Sequence, residues 1–174
     1  MLIDEFLPEY DFNETHDISI HAAAADIYRT AIDIDFGESF LIRWLMRLRG
    51  MSDGRITLRD MKRYQFEMLG ETLNQEMVLG LVGRFWTIGG GLQKIDSESF
   101  KKFDTSGYAK AVWNFSLDET GDETNLTTET RIKCLDAGSR RSFGMYWTFV
   151  KPFSGLIRME MLKLIKQKAE ANVI

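Results

Sequence analysis

The chain has 174 residues, which suits a single folded domain, and its 22 basic and 26 acidic residues give a formal net charge of −4. This balance speaks against nucleic acid as the main partner, because phosphate binding requires concentrated Lys and Arg. The single cysteine, Cys134, excludes an internal disulfide, and no paired Cys/His spacing indicates zinc.

The N-terminal residues carry no signal for export. Residues 1–9 hold acids within a short apolar run and lack the basic start of a signal peptide. No uncharged run approaches the length of a membrane span. Together with the lone cysteine, these features predict a cytoplasmic protein without a transmembrane segment. We expect neither a metal nor a cofactor, since no motif for either is present.

Residues 10–20 alternate apolar and polar side chains, a pattern typical of a half-buried strand. The apolar face includes Phe12 but also Glu14 and His16, which at strand rise stand about 7 Å apart. A carboxylate beside an imidazole could polarise a carbonyl or move a proton. The simpler interpretation, which we favour, is that both form structural hydrogen bonds.

Two short helices follow. Apolar residues recur at helical spacing in residues 22–34 and again in residues 37–50, where Gly50 is the predicted end. Shorter helical turns are predicted at residues 58–64 and 97–103.

Antiparallel strands make up the middle of the chain. Residues 66–73 and 76–88 predict two strands joined by a hairpin at Asn74 and Gln75. Both faces of the second strand are partly apolar, so something besides solvent should cover its outer face near Trp86. The inner face of this strand carries Leu81 and Phe85.

Two further strands alternate clearly. Residues 109–117 and 126–134 predict strands joined by a turn at residues 118–125. On the outward face of the second, Glu129 and Arg131 are predicted to form a solvated or cross-strand ion pair worth roughly 0–1 kcal/mol. The inward face of the pair carries Trp113, Phe115, Thr128 and Thr130.

Residues 139–171 predict one long helix that closes the fold. Ser139 is the predicted cap, and Pro152 should kink the helix. An aromatic stripe this long needs a broad apolar surface, which we take to be a curved sheet with a cavity beneath the helix. The charged residues of this helix, Arg158 among them, are predicted to fall mostly on its opposite side. The stripe consists of Phe143, Tyr146, Trp147, Val150, Ile157, Met161, Leu164 and Ile165.

This order of elements resembles the helix-grip fold of the START-like superfamily, which includes birch-pollen-allergen, polyketide-cyclase and lipid-transfer families. More specifically, an uncharacterised bacterial family of that superfamily is similar in four stretches, residues 83–86, 103–110, 126–131 and 146–158. The resemblance implies an α+β domain spanning residues 1–174, with a curved antiparallel sheet wrapped around a proline-kinked terminal helix. It also implies a tunnel that holds an apolar molecule.

Three functional hypotheses remain open. The first, which we favour, is a non-catalytic carrier of a hydrophobic, lipid-, polyketide- or isoprenoid-like molecule. An empty apolar cavity of about 300 Å³ would cost roughly 7 kcal/mol, so a roomy interior should hold a guest. The predicted ligand-binding residues are Phe12, His16, Leu81, Phe85, Trp113, Phe115, Thr128, Thr130, Tyr146, Trp147 and Val150.

The second hypothesis is a cyclase- or hydratase-like enzyme with Glu14 and His16 as acid and base, and Tyr146 or Thr130 orienting a carbonyl. It requires a cavity that both Glu14 and His16 reach. The third is an interaction module with a filled core, which could dimerise through its outer sheet.

Overall fold

Helices and strands follow the predicted order, with one additional helix at the N-terminus. The computed structural model describes residues 1–48 and 55–171. The predicted end of the second helix at Gly50 therefore lies outside the described residues. Short 3₁₀ helices occupy Phe36–Glu38 and Met61–Tyr64. The helices and strands are α1 (Ile3–Phe6), β1 (Phe12–Ile20), α2 (Ala24–Asp33), α3 (Phe40–Leu48), β2 (Glu67–Thr72), β3 (Glu76–Gly83), α4 (Ser97–Lys102), β4 (Ala109–Thr120), β5 (Glu123–Cys134) and α5 (Ala137–Ala171).

The five strands form one curved antiparallel sheet in the order β1-β5-β4-β3-β2. The first strand therefore pairs with the last, which brings Glu14 opposite Thr130 and His16 opposite Thr128. In the neighbouring ladder, Thr130 lies opposite Trp113. Because side chains on directly paired residues share a face, these residues stand on one side of the sheet, as their alternation predicts.

Three strand boundaries, the end of β3 and the two at the β4–β5 turn, differ clearly from prediction. β3 ends at Gly83 and does not reach residue 88, because the chain folds back on itself there: Gln93 N–H donates to the carbonyl of Val82 at 2.9 Å. A Cβ at Gly83 would lie only 2.8 Å from the carbonyl oxygen of Gly90, so only glycine permits this close return. The β4–β5 turn contains just Gly121 and Asp122, which makes both strands longer than predicted.

Helix α5 lies across the inner face of the sheet and packs chiefly against β1, with further contacts to α2, α3 and β5. It runs unbroken through Pro152. Its cap is Asp136 and not Ser139: the carboxylate of Asp136 accepts from Ser139 N–H at 2.9 Å. Ser139 Oγ in turn accepts from Asp136 N–H at 3.1 Å, which completes a reciprocal capping box.

The outer face of the sheet is covered by segments of the same chain. Val78 and Val82 of β3 are fully buried against Ile3 and Phe6 of α1 and Phe100 of α4. The expected cover is therefore present. Trp86, however, lies on the inner side, where its ring stands 6.3 Å from that of Phe143.

Glu129 and Arg131 form the predicted ion pair, but the pair is buried and not solvated. Both side chains are buried, because the N-terminal segment lies over them. The Arg131 guanidinium donates to Glu129 at 2.8 Å, to Asp4 at 2.7 Å and to the carbonyl of Leu7 at 3.2 Å. Alternation along β5 correctly predicts the outward face, but α1 makes that face part of the interior.

Among the described residues, no helix combines the length and apolar character needed to cross a bilayer.

Candidate functional site

A cavity of about 470 Å³ lies between the inner face of the sheet and the N-terminal half of α5. β3, β4 and β5 form one wall, and α5 forms the wall opposite. The loop between β3 and α4 forms the rim, where Thr87 and Gly89 both line the cavity and remain exposed to solvent. The mouth therefore lies at this loop.

Most of the predicted ligand-binding residues meet at this cavity. They come from four elements that are distant in sequence and adjacent only in the fold. Those that line it are Leu81, Phe85, Trp113, Thr130, Tyr146, Trp147 and Val150.

Phe143 holds the aromatic wall together. Its ring stacks on Trp147 at 5.6 Å and lies 5.8 Å from the ring of Tyr146. From the sheet side, Phe12 and Phe85 approach it at 5.1 Å and 6.3 Å. Offset and edge contacts of this kind favour defined ring orientations, so these aromatic side chains support one another along the cavity wall. Phe12 supports that wall from behind and does not itself line the cavity.

Two other predicted ligand residues serve the core instead. Phe115 is 1% exposed and packs against Trp113, with ring centroids 5.1 Å apart. Thr128 accepts a 2.6 Å hydrogen bond from the indole N–H of Trp113 and donates to the carbonyl of Asn114 at 2.8 Å. Thr128 therefore orients Trp113, and its hydroxyl is already committed within the protein.

Arg158 is a cavity residue that the sequence prediction missed. It follows Val150 and Ser154 at intervals of four, so these side chains share one side of α5, and all three line the cavity. The guanidinium carbon lies 3.8 Å from the ring centroid of Trp113. Stacking on an aromatic face lets an arginine enter an apolar wall, and the helical spacing was the available signal. Arg158 is the one charged residue among the described residues that line the cavity.

Glu14 and His16 lie together beneath α5 but outside the cavity lining. His16 Nε2 is 3.2 Å from Glu14 Oε1, and the Glu14 side chain is 8% exposed. Both pack under Gly155, where a Cβ would stand 2.8 Å from Glu14 Oε1. Within the described part of the chain, no three His, Cys, Asp or Glu residues are placed to hold a metal. The acid–base hypothesis required access to the cavity, and this placement does not provide it.

A broader groove of about 1140 Å³ lies on the other side of the molecule, between the N-terminal segment and the tips of the β2–β3 and β4–β5 hairpins. Its walls include Glu5, Glu76, Asp118 and Glu119. Such acidic, open walls do not suit an apolar guest, so the smaller cavity under α5 is the candidate site.

The order of elements defines the fold. One strand and two short helices follow α1, four antiparallel strands come next, and a long helix then lies over the cavity. The chain has a helix-grip fold, in which the curved antiparallel sheet wraps around the long terminal helix. No family model matches the sequence, and no curated protein shows a significant match.

Several solved structures resemble this fold. One is a conserved protein from Geobacillus kaustophilus, with 14% identity, a TM-score of 0.47, and coverage of 91% of this chain and 95% of that chain. Another is the Zhui aromatase/cyclase from Streptomyces sp. R1128, with 12% identity, a TM-score of 0.38, and coverage of 94% and 96%. A third is Ara h 8.0201, with 8% identity, a TM-score of 0.32, and coverage of 92% and 98%. At such identities the likeness concerns the fold and not the function.

Proposed function

We propose that the protein binds a hydrophobic small molecule with a carbonyl or anionic end in the cavity under α5. The observation that carries the proposal is the aromatic hollow of about 470 Å³ with a single charged group in its wall. This volume falls within the roughly 300–1,000 Å³ of typical small-molecule sites. A lipid-, polyketide- or isoprenoid-like molecule fits this description.

The polar groups of the wall define the guest's orientation. Thr130 and Ser154 offer hydroxyls, and Arg158 offers a cation held over Trp113. A guanidinium in an apolar wall attracts carboxylate and carbonyl oxygens through charge-assisted hydrogen bonds. The apolar body of the guest would then lie against Leu81, Phe85 and Trp147. A cavity of this size argues against the alternative of an interaction module with a filled core.

Two dyes of similar shape test this proposal. We expect 1-anilinonaphthalene-8-sulfonate, which is anionic, and N-phenyl-1-naphthylamine, which is neutral, to bind at one site per chain. Val150→Trp fills the cavity from α5 and should abolish both signals. Gln167→Trp adds the same ring at an exposed position of the same helix and should change neither.

Arg158→Gln separates charge recognition from apolar burial. Loss of a desolvated charge partner costs about 1.5–3 kcal/mol, so affinity for the anionic dye should fall by about tenfold or more. Affinity for the neutral dye should change by less than about threefold. Dye binding that persists in Val150→Trp would place the guest elsewhere and refute the proposal.

A further inference from the structure

Seven of the ten large apolar side chains that are exposed in the described part of the chain occur in just three segments. These segments are α3, the β3–α4 loop and the N-terminal two thirds of α5. Phe149 is 76% exposed, and Ile88 is completely exposed. Monomeric proteins rarely leave a continuous apolar surface uncovered without an interaction to justify it. The seven side chains are Phe40, Trp44, Ile88, Met145, Phe149, Phe153 and Leu156.

On α5 the exposed apolar residues form one continuous stripe. Met145, Phe149, Phe153 and Leu156 are separated by four, four and three positions, which places them on one side of the helix. Tyr146, beside this stripe, lines the cavity. The outer stripe and the cavity wall are therefore neighbouring surfaces of one helix.

The other two segments flank α5 near the two ends of this stripe. The hydroxyl of Ser39, which immediately precedes α3, donates to Glu160 of α5 at 2.8 Å, about one turn beyond Leu156. On the cavity side, Ile88 stands between Thr87 and Gly89, which form the cavity rim. Ile88 thus borders the mouth through which a guest would enter.

Basic residues are concentrated in the same three segments as the exposed apolar side chains. Residues 40–48, 84–94 and 137–159 together contain eight of the 22 basic residues and none of the 26 acidic ones. Arg43, Arg141 and Lys151 are exposed within these segments. The rest of the chain is strongly acidic, so these three segments have a sign of charge opposite to that of the whole protein.

We propose that this surface, hereafter the docking face, binds the anionic surface of a lipid bilayer. The docking face comprises the seven exposed apolar side chains together with Arg43, Arg141 and Lys151. Apolar and aromatic side chains enter the boundary between headgroups and acyl chains, and basic side chains attract anionic headgroups. A second copy is a poorer occupant, because two-fold pairing would set one basic surface against another. Docking goes beyond guest binding and does not depend on it.

Co-sedimentation of the full chain with vesicles tests this assignment. We expect binding to phosphatidylcholine vesicles that contain about one third phosphatidylglycerol, and binding about tenfold or more weaker to phosphatidylcholine alone. Binding should also weaken as salt is raised, because screening removes the electrostatic attraction.

Paired variants separate the apolar from the charged contribution. Two double variants should each weaken binding to anionic vesicles by about tenfold or more. One combines Phe149→Ser with Phe153→Ser, and the other combines Arg141→Glu with Lys151→Glu. The matched controls are Leu73→Ser and Lys102→Glu, whose side chains are 70% and 78% exposed outside the docking face. Both controls should bind as the unaltered chain does. All six substitutions are at exposed positions, and circular dichroism verifies that each of the four variants is folded.

Three results would overturn the assignment. The first is no binding to anionic vesicles. The second is an equal loss of vesicle binding in the variants and their controls. The third is a dimer, seen by light scattering, that dissociates in the variant with Phe149→Ser and Phe153→Ser. Val150→Trp distinguishes this proposal from guest binding. It should lose dye binding and keep vesicle binding, so either proposal can fail while the other stands.

Discussion

Arg131 derives its importance from residues far away in the sequence. Its guanidinium contacts Asp4, the carbonyl of Leu7 and Glu129, and the arginine is 7% exposed. Alternation along β5 places Arg131 on the outer face but cannot reveal that α1 covers it. A pair expected to be worth little is therefore a buried ion pair, whose disruption is costly.

Arg131→Met should lower the free energy of unfolding by about 3–5 kcal/mol, because Glu129 would keep a buried charge without its partner. Urea denaturation measures this change. Arg29→Met is the control: its ion pair with Asp26 is exposed, and its loss should cost no more than about 1 kcal/mol. Equal losses in the two variants would show that the buried ion pair under α1 adds no stability.

Cys134 is 7% exposed and packs in the cluster around Phe143. Burial, with the Asp11 carboxylate nearby, raises the pKa of the Cys134 thiol to about 12. The thiol should therefore stay protonated in the folded protein, while in the unfolded chain it ionises at ordinary alkaline pH.

Two consequences can be measured. A thiol reagent should label Cys134 only as fast as the protein unfolds. Because the folded pKa is the higher one, this group's stabilising contribution is complete below the unfolded pKa and falls as pH rises toward 12. Cys134→Ala should reduce that alkaline loss. Rapid labelling under native conditions would contradict this account.

At the scale of elements, α5 carries two glycines with opposite environments. A Cβ at Gly144 would stand 3.5 Å from the ring of Phe12, which is ordinary contact. A Cβ at Gly155 would stand 2.8 Å from Glu14 Oε1, a buried atom beneath the helix. The helix needs the second glycine to approach β1 and tolerates replacement of the first.

Gly144→Ala should raise the free energy of unfolding by about 0.5–1 kcal/mol, because alanine loses less backbone entropy in a helix. Gly155→Ala should lose this gain and be less stable than Gly144→Ala, since Glu14 and His16 must move. Thermal unfolding of the two variants gives the comparison directly. Greater stability in Gly155→Ala than in Gly144→Ala would mean that Glu14 and His16 can move away from the added Cβ at little cost in free energy.

For the whole molecule, the cavity couples stability to occupancy. A guest that binds only the folded state stabilises it by about 2.7 kcal/mol when present at roughly one hundred times its Kd. In a domain of this length, that corresponds to a rise in Tm of about 5–10 °C. N-phenyl-1-naphthylamine should produce this rise in the unaltered chain and in Gln167→Trp. It should produce none in Val150→Trp, and an equal rise in that variant would place the dye outside the cavity.

The sequence by itself determined the order of helices and strands and the face on which each strand residue lies. Alternation places Trp113 and Thr130 inward, and helical spacing places Tyr146, Trp147 and Val150 on one stripe of α5, where they line the cavity. These properties follow from local periodicity, because a side chain's direction depends on the backbone within a few residues.

Only the tertiary structure decided how these faces are used. It buries Arg131 beneath α1, commits Thr128 to Trp113, brings Arg158 into the cavity wall and leaves Glu14 and His16 outside it. Each outcome depends on contacts between segments distant along the chain. Local periodicity carries no information about which segment will lie opposite, so packing alone separates the cavity from the core.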